Sequence, residues 1–197
     1  MKKIVLATSN PRKIYEFTDL LSNTEIEIIS QKKLGVNSIQ ETGLTFVENA
    51  ILKARNATKK TGLPAISDDS GLSVDILGGA PGIYSARYAA KNATDQQNID
   101  KLLHLLKNVP QNYRKAKFHC ILVYMRNEND PLPLICYGDW MGEITVKSIK
   151  KSGLGYDPIF YLPKLNCTAG DLNQKEKNII SHRGKAMKLM LSFIKSI

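Results

Sequence analysis

The first 80 residues alternate between short apolar runs and stretches whose apolar residues recur at helical spacing. The apolar runs predict buried strands at residues 3–8, 26–29 and 64–66. Beyond them, Leu72, Val74 and Ile76 alternate with other residues and predict a further strand edge. Strands separated by helices in this order are typical of an α/β protein.

Helix starts are marked by capping residues. Four helices are predicted, beginning at Asn10, Thr45, Thr94 and Ser181. Asn favours the cap position and the Pro that follows suits the first helical position. Thr45 and Glu48 have the spacing of a capping box, and that helix is expected to end near Gly62. The last helix is expected to bury Ala186, Leu189, Met190, Phe193 and Ile194.

The second half of the chain favours antiparallel strands. Residues 115–125 alternate strongly between apolar and polar, and residues 133–146 contain two more strand-like pieces. Turn residues at 127–131 and around Gly138-Asp139 predict hairpins. Early helices between strands, followed by hairpins, predict an α/β fold with a mixed β-sheet.

The net charge raises the question of an anionic partner. The chain has 197 residues, with 28 Lys and Arg against 18 Asp and Glu, so the formal charge is 28 − 18 = +10. These basic residues are scattered, without the run of about 5–8 that is typical of nucleic-acid patches. Most are expected to be solvated surface, with a few gathered at a phosphate site. A small-molecule polyanion is therefore favoured over nucleic acid.

The cysteines and the N-terminus indicate the compartment. Cys120, Cys136 and Cys167 are odd in number and widely spaced, which predicts neither a disulfide framework nor a metal pair. The apolar run at residues 4–7 is shorter than the roughly 7–15 residues of a signal core. No stretch approaches the roughly 18 apolar residues of a membrane span. The sequence therefore predicts a cytoplasmic protein with no membrane partner.

Two segments carry candidate phosphate and metal chemistry. Residues 8–13 lie between a predicted strand and helix, where free backbone N–H groups and the helix dipole attract phosphate. The pair Asp68-Asp69 follows an apolar strand, and adjacent carboxylates favour a cation such as Mg²⁺. Glu41 supplies a third carboxylate just before the helix that carries Lys53. An ordinary capped turn and an Asp-rich turn are the alternatives.

Two further segments suit a flat ligand. The glycines of residues 153–158 allow close backbone approach, and Tyr156 is a candidate for packing on a ring. His182 and Arg183 open the last helix, with Lys177 just upstream, and suit an anion or a base edge. A tight turn and a structural histidine are the alternatives.

These segments together resemble the inosine triphosphate pyrophosphatase family, and more closely its bacterial members. The motifs that carry the resemblance are Thr8-Ser9-Asn10 with Lys13, Glu41 to Ala54, Ser67 to Leu72, Gly78 to Tyr88, Gly155 to Pro158, and Ser181 to Gly184. They occur in the family's order over residues 3–194. The resemblance implies one domain over residues 1–197, with an elongated mixed sheet and two lobes around a central cleft. It also implies a homodimer and Mg²⁺-dependent hydrolysis of ITP, dITP and XTP to the monophosphate and pyrophosphate.

The resemblance also implies residue roles. Thr8, Ser9, Asn10, Pro11, Arg12 and Lys13 would bind the triphosphate, with Lys53 and Lys177 on phosphate or sugar. Asp69 would bind the metal and accept a proton, Glu41 and Asp68 would help hold Mg²⁺, and Ser70 would contact the substrate. Leu154, Gly155, Tyr156 and Asp157, with His182 and Arg183, would enclose the base.

Two positions depart from the family pattern. Ser9 stands where the loop usually has Gly, which requires that the position does not need a positive φ. Leu154 replaces a common aromatic, so an aliphatic face replaces a ring stack. A basic nucleic-acid-binding module and a nucleotide-binding regulator without catalysis are the alternative functions. The scattered lysines argue against the first, and the retained Lys13, Glu41, Asp68 and Asp69 against the second.

Overall fold

The structure, a computed structural model, describes residues 2–147 and 153–194. Its strands are β1 (Lys2–Leu6), β2 (Ile26–Ser30), β3 (Ala65–Val74), β4 (Lys115–Met125), β5 (Leu134–Ile144), β6 (Phe160–Leu162) and β7 (Cys167–Thr168). Its α-helices are α1 (Pro11–Leu21), α2 (Phe46–Thr61), α3 (Asp95–Leu105), α4 (Gln174–Ile180) and α5 (His182–Ile194). The short helix α4 was not predicted. None of the helices in these ranges has the length and apolar character that crossing a bilayer requires.

The strands form one mixed sheet in the order β2-β1-β3-β4-β5-β6-β7. β1 runs parallel to both β2 and β3, with Leu6 opposite Ser30 on one side and Ile66 on the other. β6 runs antiparallel to β5 and β7. The predicted α/β fold with a mixed sheet is confirmed, and the polar residues after β1 and β2 lie at one edge because parallel strands end on the same side.

The chain divides into two compact units, each with its own core. The first comprises Met1–Asp69, Cys120–Gly138 and His182–Ile197, and the second comprises Ser70–His119 and Asp139–Ser181. In the first unit, Phe17 and apolar residues of β1 and β4 pack with Met187 and Met190 of α5. In the second, the ring centroids of Phe118 and Phe160 lie 4.6 Å apart within an apolar cluster.

The predicted helix starts are confirmed by their hydrogen bonds. The Asn10 side chain accepts from the backbone N–H of Arg12, and Pro11 is the first residue of α1. Thr45 and Glu48 close a capping box at α2, which ends against Gly62 at φ 68°. Thr94 caps α3 in the same way. Each of these capping interactions joins residues only a few positions apart, so the local sequence is enough to predict it.

Two expectations around β3 were wrong. The acidic pair Asp68-Asp69 lies inside β3, which continues to Val74, and not at the end of a strand. Parallel pairing with β1 covers only Ala65 and Ile66 at the start of β3, and the strand continues through both aspartates. Ile76 belongs to a 3₁₀ turn and is 52% exposed.

The predicted turn at Gly138-Asp139 was also wrong, because β5 runs unbroken through both residues. Gly138 is required because a side chain at this position would clash with α5. A Cβ at this position would stand 2.7 Å from the backbone nitrogen of Ala186 and nearer still to the carbonyl oxygen of His182. The glycine therefore lets α5 pack directly on the strand. In the sequence, a glycine required for close packing looks the same as a glycine that marks a turn.

We expect Gly138→Ala to lower the free energy of unfolding by about 3 kcal/mol or more, since both obstructing atoms are backbone and cannot rotate away. Gly35→Ala is the matched control, because its φ is 69° and its Cβ would meet no atom within 4 Å. Backbone strain alone should cost it roughly 1–2 kcal/mol. Equal losses in urea unfolding would contradict the close-packing explanation.

The buried face of α5 differs in part from the prediction. Ala186, Met190 and Ile194 are buried as expected, whereas Leu189 and Phe193 are 48% and 54% exposed. Helical spacing alone therefore made the predicted buried stripe wider than the observed one.

Candidate active site

The predicted site residues fall into both units. The first unit holds Thr8–Lys13, Glu41, Lys53, Asp68, Asp69, His182 and Arg183. The second holds Ser70, Leu154–Asp157 and Lys177. Each set is described by its own contacts below.

The loop at residues 8–13 joins β1 to the start of α1. Thr8 Oγ1 accepts from the backbone N–H of Asn10 at 3.2 Å, so the loop is held by its own side chains. Ser9 does not have a positive φ, since among the described residues other than glycine only Asn166 has one. Ser9 therefore replaces the usual glycine without backbone strain. The first turn of α1 thus offers the backbone environment that attracts anions.

Asp68 is fully buried and paired with two cations. Its Oδ1 contacts Lys13 Nζ, and its Oδ2 accepts from Arg183 Nε at 2.7 Å and from Cys120 Sγ at 3.4 Å. Burial alone would raise the pKa of this carboxyl, but Arg183 and Lys13 outweigh it and hold the pKa well below the usual range. Asp68 is therefore an ionised anchor for both cations.

Lys53 gathers the other two carboxylates. Its Nζ lies 2.6 Å from Asp69 Oδ1, 2.9 Å from Glu41 Oε1 and 2.8 Å from the carbonyl oxygen of Asp68. Burial lowers the Lys53 pKa, but Asp69 and Glu41 outweigh it, so the pKa is raised and the ammonium is kept. The pKa of Asp69 is raised, because burial outweighs the attraction of Lys53. Asp69 is thus the more basic member of the adjacent pair.

These carboxylates fit a hard cation only in part. The carboxylates of Glu41 and Asp69 both contact the Nζ atom of Lys53. Proteins commonly bind Mg²⁺ through one or two carboxylates together with phosphate oxygens of the substrate. The two oxygens of Asp68 contact two other cations, Lys13 and Arg183. In residues 2–147 and 153–194 no group of three or more acidic, His or Cys side chains is placed to hold a metal. Asp68 is thus paired with cations in this arrangement, and its role as a metal ligand stays a prediction.

Arg183 connects Asp68 to a residue that the sequence did not single out. The guanidinium is buried, and Nη1 contacts the Glu16 carboxylate while Nε binds Asp68. Burial lowers the Arg183 pKa, but the two carboxylates raise it well above the usual range. Glu16 follows Lys13 by three residues on α1, and this spacing was the only signal that pointed to it. A base contact by Arg183 or by the buried His182 stays a prediction.

The predicted base loop of the second unit is held by internal hydrogen bonds. Asp157 Oδ2 binds Lys177 Nζ at 2.7 Å and accepts from the Leu154 N–H at 3.3 Å. Gly155 has a positive φ of 56°, and its backbone N–H donates to Asp95 Oδ2 at 3.0 Å. Asp95, the first residue of α3, was missed because an acidic residue after a cap is ordinary there.

Tyr156 of this loop is buried. It is 4% exposed, and its hydroxyl donates to the carbonyl oxygen of Ser85 at 2.9 Å. The ring belongs to an apolar cluster of the second unit, and its predicted contact with a base stays a prediction. Leu154 is the more exposed side chain of the loop, at 36%.

Comparison with known proteins shows the family of this chain. The sequence model of the Ham1 family matches residues 4–193. The chain belongs to the Ham1 family. Two relatives named dITP/XTP pyrophosphatase, from Photorhabdus laumondii and Salmonella typhi, are 59% and 58% identical over 196 residues, covering 100% of each chain. The family resemblance drawn from the motifs is confirmed.

Solved structures of Ham1 proteins agree with this fold. A HAM1 protein from Coxiella burnetii superposes with a TM-score of 0.93 at 51% identity, covering 100% of both chains. The Ham1 protein of Staphylococcus aureus gives 0.87 at 40% identity, covering 99% of both. The α/β fold class is thereby supported at the level of whole chains.

Proposed function

We propose that this chain hydrolyses non-standard purine nucleoside triphosphates, dITP, XTP and ITP, to the monophosphate and pyrophosphate. It is a hydrolase of phosphoanhydride bonds, like its dITP/XTP pyrophosphatase relatives. The observation that carries the proposal is the convergence of Asp69 and Glu41 on the ammonium of Lys53. The loop at residues 8–13 lies on the same unit and supplies an environment for phosphate.

The charges of this cluster support a need for a metal ion. Lys13, Lys53 and Arg183 contribute +3, and Glu16, Glu41, Asp68 and Asp69 contribute −4, so the ion-paired cluster carries 3 − 4 = −1. A triphosphate brings roughly four negative charges more, by analogy with other phosphates. Glu41 and Asp69 would hold Mg²⁺, which supplies charge neutralisation at the phosphates.

The bond changes follow from this arrangement. The oxygen of a water molecule attacks the α-phosphorus, the bond from that phosphorus to the bridging oxygen breaks, and pyrophosphate leaves with the bond electrons. Asp69 accepts the water proton, and its raised pKa makes it a better base than an ordinary aspartate. Lys13 exchanges its contact with Asp68 for a phosphate oxygen, while Arg183 keeps the buried Asp68 charge paired.

Base choice is a matter of donors and acceptors. Hypoxanthine and xanthine present an acceptor at position 6, where adenine presents a donor. A buried donor facing that position would reject adenine by roughly 10⁴–10⁵. Guanine shares the 6-oxygen, so its rejection would require crowding at position 2.

We expect a panel of nucleoside triphosphates with Mg²⁺ to release pyrophosphate from ITP, dITP and XTP, with ATP and GTP as poor substrates. Ion chromatography of the products measures this directly. Chelation of the metal with EDTA should abolish turnover, because the cluster alone carries a net negative charge. Release of orthophosphate alone would refute cleavage between the α- and β-phosphates.

The family resemblance also supports a cytoplasmic homodimer as part of this proposal. Light scattering of the same preparation should give a mass of twice 22.0 kDa. A monomer mass at assay concentration would remove the dimer from the proposal and leave the chemistry standing.

A further inference from the structure

A closed ring of hydrogen bonds lies beside the phosphate loop. Gln31 Nε2 donates to Ser9 Oγ and to Ser38 Oγ, each at 3.1 Å, and the two serine oxygens lie 2.9 Å apart. Gln31 follows β2 and Ser9 lies just beyond β1, and the register of these parallel strands pairs Leu6 with Ser30. The sheet edge therefore brings the three residues together.

The three residues differ in burial. Gln31 is 4% exposed, whereas Ser9 and Ser38 are exposed. A buried amide is costly unless its hydrogen bonds are made, and Gln31 Nε2 donates to both serine oxygens. The interior side chain is thus a fixed support for two surface hydroxyls.

The donors and acceptors in the ring can be counted. A serine hydroxyl has one proton to donate and can accept two hydrogen bonds. Each serine oxygen already accepts from Gln31, and one serine donates its proton to the other. The pair has two protons and uses one internally, so one hydroxyl proton is left for an outside acceptor. When Ser38 donates to Ser9, both acceptor positions of Ser9 are filled and its proton points outward.

We propose that Gln31 and Ser38 are positioning residues that hold the Ser9 hydroxyl as a donor to a phosphate oxygen of the substrate. This inference rests on the proposed function, because the loop at residues 8–13 is its phosphate site. A group whose acceptors are filled suits an anion, whose oxygens only accept. Gln31 acts through Ser9 and does not touch the substrate.

The first test compares kinetic constants. Ser9→Ala should raise KM for XTP roughly tenfold and leave kcat nearly unchanged, because the bond is made equally in ground and transition states. Gln31→Met, of similar volume, should raise KM about threefold to tenfold by releasing the hydroxyl. Gln31→Glu should do at least as much, since a carboxylate draws both serine protons inward. Ser22→Ala and Gln96→Met, at exposed positions outside the loop, are the matched controls and should change nothing.

The double variant separates positioning from a merely structural role. If Gln31 acts through Ser9, Ser9→Ala with Gln31→Met will be no worse than Ser9→Ala alone. If the increases in KM of the two single variants multiply in the double variant, the proposal is overturned. An unchanged KM in both single variants would also overturn it. Thermal unfolding of each variant checks that the fold is kept, and Gln31→Glu serves if Gln31→Met does not fold.

A base-free probe ties the effect to phosphate. Inorganic tripolyphosphate should inhibit the wild-type chain, and its inhibition constant should rise in the Ser9 and Gln31 variants by the same factor as KM. An effect confined to particular bases would overturn the assignment to phosphate. Wild-type chain that releases no pyrophosphate from any purine triphosphate would instead refute the proposed function, which distinguishes the two failures.

Discussion

Asp69→Asn should fold normally and lose about 10³-fold or more in kcat. An asparagine keeps the shape and the hydrogen bond to Lys53 Nζ, now 2.6 Å from Asp69 Oδ1, but it cannot accept the water proton. General base catalysis alone contributes roughly 10²–10⁴-fold. The lost negative charge would also weaken the hold on a metal, which adds to the effect.

Asp100→Asn is the matched control, because Asp100 is an exposed residue of α3 whose carboxylate accepts from Gln96. It should leave kcat unchanged. Pyrophosphate release measured at saturating XTP, with circular dichroism to check the fold, compares the two variants. Turnover retained by Asp69→Asn would remove this carboxylate from the mechanism.

The acid limb of the pH–rate profile should reflect the same carboxylate. The folded-state pKa of Asp69 lies above its ordinary value of 3.8, because burial disfavours the charged form. The base is active only when ionised, so kcat/KM should fall as the pH drops through this raised pKa. In Asp69→Asn the remaining activity should lose that limb.

Arg183→Met should give the largest loss of stability, about 3–5 kcal/mol at pH 7. It removes one of the two cations on the fully buried Asp68 carboxylate and also deprives Glu16 of its partner. Lys117→Met is the control, because the side chains of Lys117 and Asp139 are 34% and 35% exposed in a pair 3.6 Å apart. A solvent-exposed pair of this kind is worth about 1 kcal/mol or less.

The effect of Arg183→Met should depend on pH. In the wild-type fold the pKa of Asp68 is depressed, so its stabilisation is present above the unfolded value near 3.8 and lost as the pH falls through the folded value. Without Arg183, only Lys13 opposes the effect of burial, so the pKa of Asp68 rises from its wild-type value. Protonation of Asp68 in acid then removes part of the penalty of the variant. Urea unfolding at pH 7 and pH 4 should therefore show a smaller difference at pH 4. A constant difference would contradict the role of Asp68.

Together these two variants separate the roles of adjacent aspartates. Asp68 and Asp69 follow each other in β3, and successive side chains of a strand point to opposite faces. One carboxylate is therefore paired with Lys13 and Arg183, and the other with Lys53. The sequence treated the pair as one acidic cluster for a metal, but the strand gives each member a separate set of cations.

The sequence by itself determined the features that depend on neighbouring residues. The caps of α1, α2 and α3 follow from side chains that bond backbone groups a few positions away. The α/β order follows from apolar periodicity. Family motifs of the same local kind predicted Asp69, Glu41 and Lys53 as site residues, and the structure brings the three together at Lys53 Nζ.

Only the tertiary structure decided contacts between residues far apart in the chain. Arg183 meets Asp68 across 115 positions, and Gln31 meets Ser9 across 22. Gly138 serves the close approach of α5 to β5, where sequence spacing predicted a turn. Such contacts depend on strand register and on helix packing, which align residues through space and leave no fixed spacing along the chain.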